Sequence, residues 1–395
     1  MDKSSFDVTM LWILEDLLCF SGSKSSMYFN SSCKSSILGL LLTSSSISFA
    51  GVMGPVSESN GFYFNVSPIY GAVSDSAIDK FPFVETLNAS NNIISHVSDI
   101  DSRWGYSLSL GYLFGPEKSH DVVLSYTNLT NRGSTNVVNT NPNDILINKV
   151  SQILKSEDSF VDPNQQVGGL DLYGPAFSSF SGSYEFQTAD LITHRYFKSA
   201  FLNNVQFSRY YGVKATELKK GFYAQYVGMG ISRLQQFPFT ESLEPVNDQI
   251  NYEAKYYGIG PRIGMGADWS LTRYINLMGD VSASLLGGSY DTRFLETLVT
   301  TMQIPGIRRT GSYSFSQNTN TSLWAAGVLG ANLGIAANFD MKNDSRIGIS
   351  GGISSEQYWT EATPDYFSSK TARNRVSINQ RFSVRNLFVK LSYVC

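Results

Sequence analysis

Trp104-Gly105-Tyr106-Ser107-Leu108-Ser109-Leu110-Gly111-Tyr112-Leu113-Phe114 is the stretch on which the fold turns. Its even positions make one continuous apolar and aromatic face, while Gly105, Ser107, Ser109 and Gly111 leave the opposite face almost bare. Side chains alternate across a strand with period two, so this is a strand with one face against hydrocarbon and the other against a polar interior. A soluble sandwich has no reason to strip one face of bulk over such a length.

The same rhythm returns along the chain. Phe62, Phe64, Val66, Pro68 and Tyr70 oppose Asn65 and Ser67; Val122, Leu124 and Tyr126 oppose Asp121, Ser125 and Thr127. Phe207, Tyr211, Val213 and Ala215 oppose Ser208, Gly212, Lys214 and Thr216. From Tyr257 to Trp269 the odd positions are apolar, and the even ones are glycine, Arg262 and Asp268. Ile275, Leu277, Val281 and Leu285 oppose Asn276, Asp280, Ser282 and Ser284. Weaker runs cover Phe180 to Ile192, Leu323 to Phe339, Ile347 to Tyr358 and Arg375 to Tyr393. In the last of these the apolar set moves from even positions (Phe382, Val384) to odd ones (Leu387, Val389, Leu391, Tyr393), which predicts a β-bulge near Arg385-Asn386 or a missed turn with a further strand pair.

Connections alternate between short and long. Short ones fall at Gly115 to His120, Phe197 to Asn203, Ser270 to Arg273 and Met341 to Ser345. Long ones, rich in Asn, Ser, Thr and Asp, run over Gly71 to Ser102, Thr130 to Ala176, Glu217 to Ile250, Asp291 to Thr321 and Glu361 to Asn374. Short periplasmic turns and long extracellular loops define an all-β, antiparallel, up-and-down transmembrane barrel of about ten strands, within roughly 8 to 14.

Composition agrees. Aromatics reach 13%, with 22 Tyr and 25 Phe, whereas charged residues make up only 16%, below the roughly 25% of an ordinary soluble domain. No apolar run reaches the length a membrane-crossing helix needs. A formal net charge of -3 with no polybasic block argues against nucleic acid as a partner.

Residues 1–50 read as an N-terminal extension followed by a cleavable export signal, and residues 51–395 as the barrel. Lys34 precedes a short apolar core, Ile37 to Leu42, and a Ser-rich stretch ending Ser48-Phe49-Ala50, which places cleavage between Ala50 and Gly51. Asp2, Asp7, Glu15 and Asp16 oppose signal-peptide design, which points to Met27 as the start of translation. Export through such a signal places the protein in the outer membrane, with the lipid bilayer and its lipopolysaccharide as surroundings.

Enzyme motifs fail on context. Gly348-Ile349-Ser350-Gly351-Gly352 fits a nucleophile elbow by letter but lies inside a strand, where the elbow needs a strand-to-helix turn. Gly258, Gly260 and Gly264 miss dinucleotide-loop spacing and open no helix. His96, His120 and His194, the only histidines, offer no metal-ligand spacing. Asp190 and His194 share a strand face, as a membrane protease dyad would, but near a periplasmic turn. Neither catalytic site nor cofactor nor metal is expected.

Facing lipid, an Arg or Lys costs about 2 to 4 kcal/mol at the midplane. Asn65, Ser107, Ser109, Asp121, Lys214, Arg262, Asp268, Asn276 and Asp280 are therefore expected to face the lumen. There they would either tune a water-filled pore or pair with one another and plug it. Trp104, Tyr112, Trp269 and Trp359 are candidates for the interfacial girdles.

Taken together, Met53-Gly54-Pro55-Val56, Trp104-Gly105-Tyr106, Asp190-Leu191, Gly258-Ile259-Gly260-Pro261-Arg262-Ile263-Gly264, Ser284-Leu285-Leu286 and Gln357-Tyr358-Trp359 resemble the Legionella-type major outer membrane protein family of pore-forming β-barrels. That resemblance implies an outer-membrane location and a pore or surface-exposed role, including contact with host-cell surfaces. It also implies insertion by the barrel-assembly machinery. That machinery reads a terminal aromatic, whereas this chain ends on Cys395 with Tyr393 close behind. The expected function is passive passage of small hydrophilic solutes or ions; the alternative is a closed barrel acting through its extracellular loops. Oligomeric state is left open.

Overall fold

The computed structural model describes residues 61–75, 82–98, 100–115, 119–150, 170–198, 204–231, 243–304, 307–341, 345–360 and 381–394. The proposed export segment, the Ala50–Gly51 boundary and the connection Glu361 to Asn374 lie outside these residues, as do the early part of the final run and Cys395.

Among the described residues thirteen strands form one sheet: β1 (Gly61–Asp75), β2 (Pro82–Leu87), β3 (Ile93–Val97), β4 (Arg103–Phe114), β5 (His120–Asn139), β6 (Ile145–Asn148), β7 (Leu170–Lys198), β8 (Val205–Ile231), β9 (Leu243–Ser270), β10 (Ile275–Ile304), β11 (Ile307–Asp340), β12 (Arg346–Thr360) and β13 (Arg381–Val394). Ten close a ring in the order β1-β4-β5-β7-β8-β9-β10-β11-β12-β13, with β13 antiparallel to β1 and β7 antiparallel to β8. A closed ring satisfies every backbone group within the hydrocarbon and leaves no sheet edge there.

Alternation fixes the outer face. Phe62, Phe64, Val66 and Tyr70 on β1, Leu108 and Leu110 on β4, and Ile259, Ile263 and Met265 on β9 are all exposed on the lipid side. From Trp269 to Tyr257 the apolar face covers thirteen residues, twelve steps along the strand, which at about 3.3 Å per step and a tilt near 40° span roughly 30 Å, the height of the apolar band with its girdles. Of the four girdle candidates, Tyr112 and Trp269 stand at the periplasmic rim and Trp104 and Trp359 at the outer rim. Tyr112 packs on Phe62 with ring centroids 4.8 Å apart, and Trp104 packs on Tyr70 at 5.3 Å.

The long connections are present, but much of their length is strand. β7 to β11 run 27 to 34 residues, whereas β1, β4, β12 and β13 run 12 to 15. Only about ten residues are needed to cross the apolar band. Thr130 to Asn139, Glu217 to Ile231, Leu243 to Ile250 and most of Asp291 to Thr321 therefore rise beyond the membrane as a sheet tower rather than as solvated loops. Period-two alternation continues there because the tower buries its own core, with Phe180, Phe222, Tyr252 and Phe294 inside. The Asn-, Ser- and Thr-rich composition that reads as loop is divided between the outer face, as at Ser134 and Asn136, and buried positions such as Asn131, Asn148 and Thr292.

A cap finishes the tower. At Gly174, where φ is 73°, the ladder between β7 and β8 shifts, and β7 exchanges partner β5, paired up to Ala176, for β6, paired from Tyr173. Glycine takes that left-handed conformation without steric cost. Strands β6, β2 and β3 then extend the sheet sideways, placing Phe83, Val84 and Leu146 in the tower core. The Tyr226 hydroxyl donates to the Phe83 carbonyl at 2.7 Å.

Strand β13 corrects one expectation. Its register against β1 and β12 is unbroken from Phe382 to Val394, so there is neither a bulge at Arg385-Asn386 nor an extra strand pair. Phe382 and Val384 point inward and are buried, while Leu387, Val389 and Leu391 face lipid. The apolar residues change face because the barrel interior at that level is itself apolar.

Candidate functional site

The lumen is filled in three levels. At the periplasmic level Asp121 is fully buried and gathers three partners. The Tyr63 and Tyr196 hydroxyls donate to its Oδ2 at 2.7 and 2.9 Å, and His194 Nδ1 lies 2.6 Å from its Oδ1. Tyr63 reaches across because its cross-strand partner is Gly111: a Cβ there would sit 2.1 Å from the tyrosine ring. Tyr210 lies over Gly264 in the same way. The bare glycine face of the sequence is thus covered by tyrosine rings lying flat on the wall. Polar pairs line the rest: Asn65 donates to Ser109 Oγ, Thr127 donates to Ser107 Oγ, and Asn332 donates to both oxygens of Asp280 at 3.0 Å.

Above this lies a charged layer. Lys214 Nζ donates to both Glu356 oxygens at 2.9 and 3.0 Å and stands 3.8 Å from Asp190. Arg262 Nη1 donates to Asp190 at 2.8 Å and lies 3.6 Å from Glu356. Two cations and two carboxylates alternate, and Tyr358 adds a hydroxyl to Glu356 at 2.8 Å. Lys214 on β8 and Glu356 on β12 stand four places apart in a ring of ten, so this contact crosses the lumen.

The third level is apolar. Phe186 on β7 meets Tyr358 on β12 at 6.0 Å and Phe382 on β13 at 6.2 Å between ring centroids. β7 and β12 are opposite strands of the ring. Ile69, Leu129 and Leu286 join the same buried cluster from β1, β5 and β10. Just beyond, Lys220 on β8 donates to Asp75 on β1 at 2.6 Å, again across the lumen.

Asn65, Ser107, Ser109, Asp121, Lys214, Arg262, Asp268, Asn276 and Asp280 lie on the strand faces opposite the exposed apolar side chains. Lys214 and Arg262 are drawn together through Asp190 and Glu356, whereas Asp121 belongs to the separate lower cluster. Asp190 and His194 do share a face but not a partner, since His194 pairs with Asp121 and Asp190 with the two cations. Glu356 and Lys220 escaped the sequence reading although parity was sufficient to find them: Glu356 opposes Ile353 on its strand, and Lys220 shares the parity of Lys214. That each pairs across the ring had no local signal.

In the tower, Asp248 is fully buried on β9 and accepts from Asn148 Nδ2 at 2.8 Å, while its Oδ1 has no hydrogen-bond partner among the described residues. Burial, and after it the Glu296 carboxyl on β10, push its carboxyl well above the usual carboxylate range. A raised carboxyl favours folding below its ordinary pKa of about 3.9, and that stabilisation is lost as pH rises through the raised value. Asp248→Asn should therefore raise unfolding free energy at pH 7.5 by about 1–3 kcal/mol, with the gain shrinking towards pH 4. The midpoint of heat-induced loss of the fast-migrating folded band, taken at both pH values, checks this.

No curated protein matches the sequence. Among solved structures, the outer membrane protease OmpT from Escherichia coli is similar at 9% identity and a TM-score of 0.37, covering 86% of this chain and 98% of its own. A major outer membrane protein from Thermus thermophilus aligns at 9% identity and a TM-score of 0.26, over 86% of this chain and all of its own. The Pseudomonas putida toluene transporter TodX aligns at 9% identity and a TM-score of 0.18, over 85% and 89%. The family described as Legionella pneumophila major outer membrane protein precursor matches residues 57–395, so this chain belongs to that family and resides in the cell outer membrane.

Proposed function

We propose that this barrel is sealed at its waist, has no enzymatic role, and works at its extracellular end as a surface-interaction protein rather than as an open passive pore. The contact between Phe186 and Tyr358, from opposite strands of the ring, carries the reading. A ten-stranded barrel is narrow enough for its side chains to meet, and the charged layer below is paired rather than free to attract permeant ions. The tower with its cap of β2, β3 and β6 supplies a large folded surface outside the membrane.

Passive permeation remains the competing reading, supported by the polar periplasmic half of the lumen around Asn65, Ser109 and Asp280. Planar-bilayer recording of the refolded barrel separates the two. A sealed barrel stays silent across the voltage range while its folded band persists, whereas steady single-channel steps would sink the proposal. Cells displaying the chain should also adhere to host-cell monolayers above cells displaying none.

A further inference from the structure

Followed outward along β9, the outer wall changes chemistry in a fixed order. Trp269 to Tyr257 is apolar, Lys255 and Glu253 are charged, and Asn251, Gln249 and Asn247 are amides. Neighbouring strands share the charged level in register, although Glu217 of β8 already stands opposite Tyr257 and β10 continues outward with Leu295, Thr297 and Val299 instead of amides. Glu185 of β7, Lys219 of β8, Lys255 of β9 and Asp291 of β10 are successive cross-strand partners, forming one charged row directly above the Tyr257 level. The next row holds Arg132, Ser183, Gly221, Glu253 and Arg293, with a bare notch at Ser183 and Gly221 between the charges. Above it Tyr223 pairs with Asn251 and Gln225 with Gln249.

The centre of this patch is unfavourable by itself. Lys219 and Lys255 are directly opposite, an arrangement of like charges that destabilises a strand pair. Glu217 bridges them, at 3.3 and 2.9 Å, and Lys219 also lies 3.9 Å from Glu185, yet both side chains stay open to solvent, at 44% and 52% exposure. Each lysine has three donors, so both keep donors free for a further anion. Arg132, 63% exposed, is held only loosely, 4.0 Å from Glu185.

We infer that the outer wall over β5 and β7 to β10 binds the phosphorylated glycolipid of the outer leaflet, with a headgroup phosphate taking the donors of Lys219 and Lys255 that Glu217 leaves free. Acyl chains, phosphates and sugars are layered in the same order as the apolar, charged and amide zones of the wall. Arg132 and Arg293 flank the phosphate level, the notch at Gly221 admits the first sugar, and Tyr223 with Asn251 and Gln249 offers an aromatic face and amides to further sugars. A plain phospholipid would use the lysines but leave the amide rows idle.

Native mass spectrometry of the folded barrel in detergent, titrated with bis-phosphorylated lipid A, tests this. Lys219→Gln with Lys255→Gln should weaken binding about tenfold, with Lys219→Gln alone between that variant and the native protein. Arg209→Gln, on the outer face near the periplasmic rim, should bind as the native protein does. Dephosphorylated lipid A should bind the native barrel no better than the phosphorylated form binds the double variant. Lipid A carrying core sugars should gain affinity on the native wall and lose that gain in Tyr223→Ala with Asn251→Ala. Equal lipid A binding by folded native and double-variant barrels overturns the inference. So does equal affinity for phosphatidylglycerol, or displacement by millimolar inorganic phosphate.

Discussion

Glu356→Ala will lower the unfolding free energy of the barrel by about 3–5 kcal/mol, the usual cost of removing one partner from a buried ion pair. Glu356 accepts two bonds from Lys214 and one from Tyr358, and lies 3.6 Å from Arg262. Lys214 has a side-chain exposure of 1%, so without Glu356 its ammonium keeps only Asp190, 3.8 Å away and already engaged by Arg262. Lys214→Met combined with Glu356→Gln removes both charges and should recover most of the loss, because the large penalty comes from the unpaired charge and not from the absence of the bridge. Urea unfolding in lipid vesicles, followed by tryptophan fluorescence and gel mobility, measures the cycle. A single-variant loss under about 1 kcal/mol would mean that water reaches this layer.

Phe186→Ala with Phe382→Ala will turn a silent barrel into a conducting one. The two rings meet at 6.2 Å, and each contributes bulk at the centre of the apolar level. Truncating a buried phenylalanine costs about 3–5 kcal/mol, with less than additive loss expected for neighbours in contact. The closed ring of backbone bonds keeps the barrel standing while the interior hydrates. Water entering from above then reaches the charged layer, where paired groups in a hydrated environment no longer hold one geometry. Single-channel steps should appear in the double variant and be absent from the native protein and from Tyr358→Phe, which keeps its ring. Continued silence in a folded double variant would place the seal in the charged layer alone.

Much of this protein is legible without coordinates. Alternation from Trp104 to Phe114 and from Tyr257 to Trp269 assigns each side chain to lipid or lumen, since strand parity is local and lipid tolerates few polar groups. Ten strands follow from the rhythm of short and long connections. What alternation could not say is how the lumen is filled. In β13 the move from Phe382 and Val384 to Leu387 and Val389 reads locally as a fault in the strand, yet its register is regular. The tower was likewise hidden, because inward aromatics such as Phe222 and Tyr252 sit within loop-like composition.

Parity is a property of neighbouring residues, and the sequence alone determines it: which face of each strand is apolar, how thick the apolar belt is, and that Lys214, Arg262 and Asp280 turn inward. Closure is a property of the whole ring. Tertiary structure decided that Lys214 meets Glu356, that Phe186 meets Tyr358, and that Tyr63 lies over Gly111 to reach Asp121. Such partners are set by strand number and stagger acting across long stretches of chain, 142 residues between Lys214 and Glu356, and no local pattern in the chain encodes them.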